Sequence, residues 1–282
     1  MFENILLPLD GSHSCVRARE IAVEIAKKYN SEITALHVMS HDFMHSELKA
    51  SYNLPSLVMQ ELNKAYEKNG EKILKTAEEF FREEDISIKT LLERAEDTAD
   101  RILQKAKELN SGLIIMGNIS EDEDLRFALG SVAEKVSLHA QCSVLIAKRK
   151  TSIHKLLVAY DSSEQSKKAL KVAVNLCKHF KKAKMTILNI ENRELHRLEP
   201  KIANEIGEKI LDEASTAIEG VTCDRRLEFG APAEIILKIA KMDDYDLIVL
   251  GSRGLSSVKR FFTGSVGTFV IMNAERSVML VR

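Results

Sequence analysis

No apolar run in this 282-residue chain reaches the ~18 residues needed to cross a bilayer, so no transmembrane helix is expected. The N-terminus has no basic lead and no long apolar region, so it does not read as a signal peptide. Charge of one sign is missing too. Lys and Arg number 41 against 42 Asp and Glu, which leaves no global pull towards nucleic acid or an anionic membrane. The four cysteines (Cys15, Cys142, Cys177, Cys223) are scattered without a CxxC pair. They read as small core residues in a reducing cytoplasm, not as a disulfide frame or zinc site. Four prolines and no tryptophan discriminate little. The length suggests roughly two domains.

What is present is a repeat. Asn4 to Leu9 is an apolar run ending at Asp10-Gly11-Ser12, where Ser12 or Ser14 can cap a helix with Ala18, Ile21, Ala22, Ile25 and Ala26 on one face. Strands are expected at 32–39, 86–92, 113–117 and 143–147. Helices are expected over most of 40–82, with a break near 53–55, and at 97–109. After Lys148-Arg149-Lys150, read as a short basic linker, the pattern restarts. Strands are expected at 154–160, 185–190, 222–229, 247–251 and 277–281, with a helix after the first strand, a long one at 195–218 and another at 232–241.

The halves match in order. Residues 5–10 answer 156–161, 112–117 answer 246–251, Gly130-Ser131 answers Gly264-Ser265, and 142–147 answer 276–281. Alternating strands and helices predict an α/β fold, with one doubly wound parallel-sheet domain at 1–149 and another at 152–282. In such sheets a ligand sits beyond the carboxyl ends of the strands, where strand order reverses. The strands at 143–147 and 277–281 are apolar edges, which invite pairing. The halves are therefore expected to dock through them as a pseudo-dimer, with further homodimerisation left open.

The stretch from Leu250 to Gly267 is a candidate anion site. A short apolar strand runs into Gly251 and Gly254, then Gly264-Ser265-Val266 opens a helix, and the loop between carries Arg253, Lys259 and Arg260 with no acid. Glycines allow close backbone approach, and a helix start offers free N–H groups to a phosphate. A glycine at a strand end is also common in any α/β fold, so this spacing alone is a weak signal.

Taken together, the strand-end aspartate in Val-Ala-Tyr-Asp-Ser-Ser-Glu-Gln-Ser (158–166), Phe-Gly-Ala-Pro-Ala-Glu (229–234) and Gly-x-x-Gly-x9-Gly-Ser from Gly251 resemble the universal stress protein family. The resemblance covers both halves. It implies, for each domain, a five-stranded parallel sheet of order 3-2-1-4-5 with helices on both faces, pairing through last strands, and an adenine nucleotide in the crevice: ATP, ADP or AMP, with or without Mg²⁺. Asp161, and with it Ser162, would meet the adenosine end. Ile190 would offer backbone to adenine, Leu250 and Gly251 would line the sugar and α-phosphate, and Arg253, Gly254, Gly264, Ser265 and Val266 would surround the phosphates.

The first half departs from the pattern. Ser120 stands where Gly254 stands, and residues 118–129 carry a net charge of −3 against +3 for 252–263. Four carboxylates near a triphosphate would repel it, unless they point away or bind Mg²⁺. One nucleotide site is expected, in the second half, with the first half degenerate. The function expected is a cytoplasmic nucleotide-binding stress-response or regulatory protein. A nucleotide-free dimerisation or interaction scaffold and a slow ATP hydrolase are the alternatives. The chain lacks the Gly-x-x-x-x-Gly-Lys-Ser/Thr loop of ordinary ATPases, and no base or nucleophile stands out. His41 and His45 have helical spacing for a metal but no third ligand near in sequence, so an exposed loop or helix face is expected; His13, close to Asp10, is expected at the surface.

Overall fold

The computed structural model describes residues 1–40, 56–118, 129–148, 152–252 and 266–282. The first half runs β1 (Asn4–Pro8), α1 (Ser14–Tyr29), β2 (Glu32–Ser40), α2 (Ser56–Glu83), β3 (Ile88–Ala95), α3 (Thr98–Glu108), β4 (Leu113–Gly117), α4 (Ser131–His139) and β5 (Ser143–Ala147). The second runs β6 (Lys155–Ala159), α5 (Glu164–His179), β7 (Lys184–Glu191), α6 (Arg193–Leu198), α7 (Pro200–Thr216), β8 (Cys223–Phe229), α8 (Pro232–Met242), β9 (Leu247–Gly251), α9 (Val266–Asn273) and β10 (Ser277–Val281).

The short runs of aliphatic residues form central strands because helices cover both their faces. β1, β4, β6 and β9 are almost wholly buried. The ten strands form one sheet, ordered β3-β2-β1-β4-β5-β10-β9-β6-β7-β8. Within each half all pairs are parallel, in the expected 3-2-1-4-5 order. The halves meet where β5 and β10 pair antiparallel, with Leu145 opposite Met279. Those two residues hold the same place in the repeat, so a pseudo-twofold passes between them.

Alternation along the strands gives each face its own core. One contains Leu145 and Met279 and is covered by α1, α2, α5 and α7. The other contains Val144, Ile146, Val278 and Leu280 and is covered by α3, α4, α8 and α9. Both cores run through both halves. On the first face the Tyr29 ring stacks on His179 across the pseudo-twofold at 4.0 Å, and its hydroxyl donates to Asn175 Oδ1 at 2.7 Å.

Four local expectations are corrected. Neither Ser12 nor Ser14 caps α1: the cap position is His13, which makes no side-chain capping bond, and the two serine hydroxyls bond each other at 2.9 Å. β3 starts at Ile88 instead of 86, because the Ile86 amide donates to Phe81 O and so belongs to the exit of α2. The helix expected at 195–218 is two helices, broken at Glu199-Pro200. Proline cannot continue a helix but fits the first turn of the next one. Lys148 is no linker residue: it is 1 % exposed.

Leu145 is fully buried at the strand pair that joins the two halves. Leu145→Ala is expected to lower stability by about 2–5 kcal/mol. Since each core spans the chain, both halves should lose protection together. Thiol labelling of Cys15 and Cys177, buried in different halves, would check this during urea unfolding. Separate midpoints for the two thiols would show instead that the halves unfold independently.

Candidate functional site

Sheet order decides which residues can share a site. β6 lies between β7 and β9, so strand order reverses at the β6/β9 pair. Val158 is opposite Val249. The chain beyond β6 (Asp161) and at the end of β9 (Gly251, then Ser252) therefore emerges side by side at the carboxyl edge, as expected for a crevice.

Each side chain there has a local cause. Asp161 is exposed, and its Oδ1 accepts from the Ser163 amide at 3.0 Å. This Asx turn puts Ser162 at φ +61°, in the left-handed region. The Ser162 hydroxyl donates to Glu213 Oε2 of α7 at 2.6 Å, so this candidate ligand residue is tied to the protein. Hydrogen bonds from Ser162 and from Lys167 hold the Glu213 carboxyl below the usual range. Ser163 then caps α5 by accepting from the Ser166 amide at 3.2 Å.

The first half builds the same turn. The Ser12 amide donates to Asp10 Oδ1 at 2.9 Å, and Gly11 takes φ +82° where Ser162 stands in the second half. Burial works to raise the Asp10 carboxyl, but hydrogen bonds from the Cys15 thiol and from Ser12 outweigh it and hold it below its ordinary 3.8. Burial, with Asp10 beside it, pushes the Cys15 thiol up to about 11, so it stays protonated at neutral pH.

Gly251 has a structural cause that spacing alone could not show. A Cβ there would run into the backbone of Gln165 in α5 and lie 2.8 Å from its Cβ. Gly117, its counterpart, faces Ser14 of α1 in the same way, with Ser14 C at 2.7 Å. Both glycines let the first turn of a helix lie against a strand end. Leu250 turns its side chain into the core at 3 % exposure, so only its backbone could face a ligand. Ile190 is half-buried and lies inside β7, opposite Glu228 of β8. Val266 opens α9 and is exposed. Arg253, Gly254, Gly264 and Ser265 lie outside the described residues, as do His41, His45, Ser120 and the acidic residues 121–124. His13 is exposed, and no group of metal-ligating side chains occurs among the described residues.

A crevice is formed in the first half. It measures about 90 Å³ and is lined by Asp10, Val38, Met116, Gly117 and Val132, among others. These five are the repeat counterparts of Asp161, Ile190, Leu250, Gly251 and Val266, the residues at and around the β6/β9 strand ends. The rims differ in how they are held, not in net charge: Asp97, Asp100 and Lys135 sum to −1, as do their counterparts Ala231, Glu234 and Phe269. In the first half the Asp97 carboxylate caps α3 by accepting from the Asp100 amide at 2.8 Å, and Lys135 of α4 bridges Asp97 and Asp100 at 2.9 and 2.8 Å. In the second half the cap position of α8 is Ala231, with no side-chain bond, and Phe269 stands in place of Lys135.

Two measurements check this geometry. Gly251→Ala should cost about 1–3 kcal/mol through overpacking against α5, read as a lower urea midpoint; an unchanged midpoint would contradict the close contact. Asp10→Asn should remove stability that is fully present above the ordinary value of 3.8 and lost as pH falls through the lower folded value. The gap between wild type and variant should therefore close on acidification; a gap that widens towards acid would reverse the sign.

Comparison with known proteins agrees with this architecture. The profile of the Universal stress protein family matches twice, at residues 1–148 and 152–282. Universal stress protein YxiE of Bacillus subtilis is 33% identical over 149 residues, covering 52% of this chain and 100% of that protein. Universal stress protein MJ0531 of Methanocaldococcus jannaschii is 30% identical over 151 residues, covering 53% of this chain and 84% of its own. Among solved structures, a universal stress protein from Archaeoglobus fulgidus superposes with a TM-score of 0.74 at 22% identity, covering 99% of this chain and 96% of that one, a likeness of fold. The two profile matches, with a repeat that returns strand for strand, place the chain in the universal stress protein family as a tandem two-domain member.

Proposed function

We propose that this chain is an adenine-nucleotide-binding regulatory protein of the stress response, with one competent site in its second half. ATP, ADP or AMP would occupy the β6/β9 crevice. The observation that carries the reading is the convergence of Asp161 and the Gly251 strand end at the point where strand order reverses, with α9 opening beyond a loop of charge +3. The fit is chemical. Asp161 is an exposed carboxylate able to accept from a ribose hydroxyl, and the first amides of α9 can donate to phosphate oxygens. Arg253, Lys259 and Arg260 add positive charge, and the α8 end of the rim has no carboxylate cap. Binding, orientation and charge neutralisation are what these residues supply; none is placed as a base or nucleophile, so a binding role is favoured over turnover. The pairing of β5 with β10 would make the two halves an intramolecular pseudo-dimer, in which the first half is chiefly scaffold.

One observation favours a second reading. The first half has its own crevice with the same turn and the same glycine. A ligand of lower charge than ATP could enter it despite the four acids at 121–124 in the sequence.

Nucleotide released on denaturing the purified protein decides between them. Wild type should release or bind roughly one adenine nucleotide per chain, and Gly254→Asp none. Saturating Mg-ATP at a hundred times its Kd should stabilise the folded chain by about 2.7 kcal/mol. Two equivalent sites would refute the charge argument. No binding at all would leave an interaction scaffold.

A further inference from the structure

Each half ends its last strand on a cation. Lys148 follows β5 and Arg282 follows β10, at the same position of the repeat. Lys148 is buried, and its Nζ donates to Ile271 O at 2.7 Å, in the last turn of α9. Arg282 does the reverse. Its guanidinium donates to Ser137 O at 2.6 Å and Leu138 O at 3.1 Å, in the last turn of α4. Ser137 and Ile271 also hold equivalent positions in the repeat. The same bond is therefore made twice, across the pseudo-twofold, and each time it leaves one half for the other.

The last carbonyls of a helix have no intrahelical partner and carry the negative end of its dipole. α9 has no basic residue in its own last turn, so a cation from outside fills the role. Two further bonds hold the Lys148 backbone. Its amide donates to Ser277 Oγ of β10 at 3.2 Å, and its carbonyl accepts from Arg17 of α1 at 2.9 Å. The side chain is thus launched from a fixed point at the seam of the sheet.

We propose that Lys148 and Arg282 are exchanged helix caps, by which each half sets the C-terminal end of the helix that opens at the other half's glycine loop. α4 starts at Ser131, directly after Gly130, and α9 is described from Val266, directly after Gly264-Ser265 in sequence. Lys148 is then a positioning residue, supplied by the first half, for the helix that would receive phosphate in the second. That last consequence rests on the nucleotide reading above; the cap exchange itself does not. It gives the first half a task that needs no ligand of its own.

Amide exchange on the full chain tests the crossing. Lys148→Met should speed exchange in α9 by about three- to tenfold and leave α4 as in wild type. Arg282→Met should do the opposite, and Lys148→Arg should keep α9 protected. Should the methionine variant not fold, Lys148→Gln, which keeps a donor but not the charge, serves in its place. A substitution that loosens the helix of its own half, or both helices alike, would overturn the proposal. Titration with Mg-ATP then separates the two layers. Weaker binding in Lys148→Met than in Arg282→Met supports the positioning role. Binding equal to wild type with crossed exchange intact would sink the positioning role and leave the caps standing. A wild type that binds no nucleotide would sink the proposed function, with the exchange pattern still deciding the caps.

Discussion

The structure depends on one strand pair. β5 and β10 are buried at every residue and carry no charge, so neither could be left as an open edge in water. Pairing them antiparallel satisfies both backbones at once and fixes a pseudo-twofold at Leu145 and Met279. The rest of the seam follows from that axis. It makes each face one core and brings Tyr29 against His179 on one side of the sheet. On the other it lays the cations after each strand against the opposite half's last helix. The outer edges are built the other way. β3 carries Lys89 and Arg94, paired with Glu32 and Glu67, and β8 carries Arg225, paired with Glu208 and Asp212. Charge of this kind discourages a further strand from adding, so the sheet is joined at its centre and closed to growth at its rims.

Because the axis is only approximate, the halves share a scaffold and differ in chemistry. The Asx turn at Asp10 returns at Asp161, and the close-packed glycine at Gly117 returns at Gly251. The tie between the second strand and the first returns as well: His37 Nδ1 meets Leu9 O at 2.7 Å, and Asn189 Nδ2 donates to Tyr160 O at 2.9 Å. These parts hold strands and helices together, so both halves keep them whether or not a ligand is bound. The rim is under no such constraint. There Lys135 with Asp97 and Asp100 gives way to Phe269, Ala231 and Glu234. Differences of this kind at the rim are what divergence of ligand chemistry on a common frame would leave.

Much of this was legible in the sequence because fully buried strands write themselves as aliphatic runs, and a duplication writes them twice. The doubly wound parallel sheet followed from the alternation of elements, and the strand order from the family resemblance alone. The misses share a cause: they turn on single residues whose role is set by partners far along the chain. Pro200 breaks a helix that composition alone carries through. Lys148 sits among other basic residues and reads as linker until β10 is laid beside it. Gly251 was read as room for a ligand, yet Gln165 of α5 already demands the glycine. Its presence is thus weaker support for a phosphate site than its position in the motif suggested. The net charge of the loop and the exposed carboxylate of Asp161 become correspondingly more important.

α9 shows why a duplicated chain could keep a half that binds nothing. Its described part has eight residues, roughly 12 Å from end to end. Its N-terminus follows the glycine loop, and its C-terminus lies on Lys148 of the other half. In so short an element the two ends are not independent. The amides that would meet an anion and the carbonyl that meets the ammonium belong to one run of aligned peptides, and an anion at one end and a cation at the other favour the same dipole. Burial pushes the Lys148 ammonium down to about 8, and the contact with the Ile271 carbonyl is made by its donating Nζ. A single domain cannot provide that contact for itself, because the strand that launches the lysine ends against the neighbour's helix and not its own. Tandem duplication therefore does more than tether two copies: it guarantees that the partner completing α9 is always present.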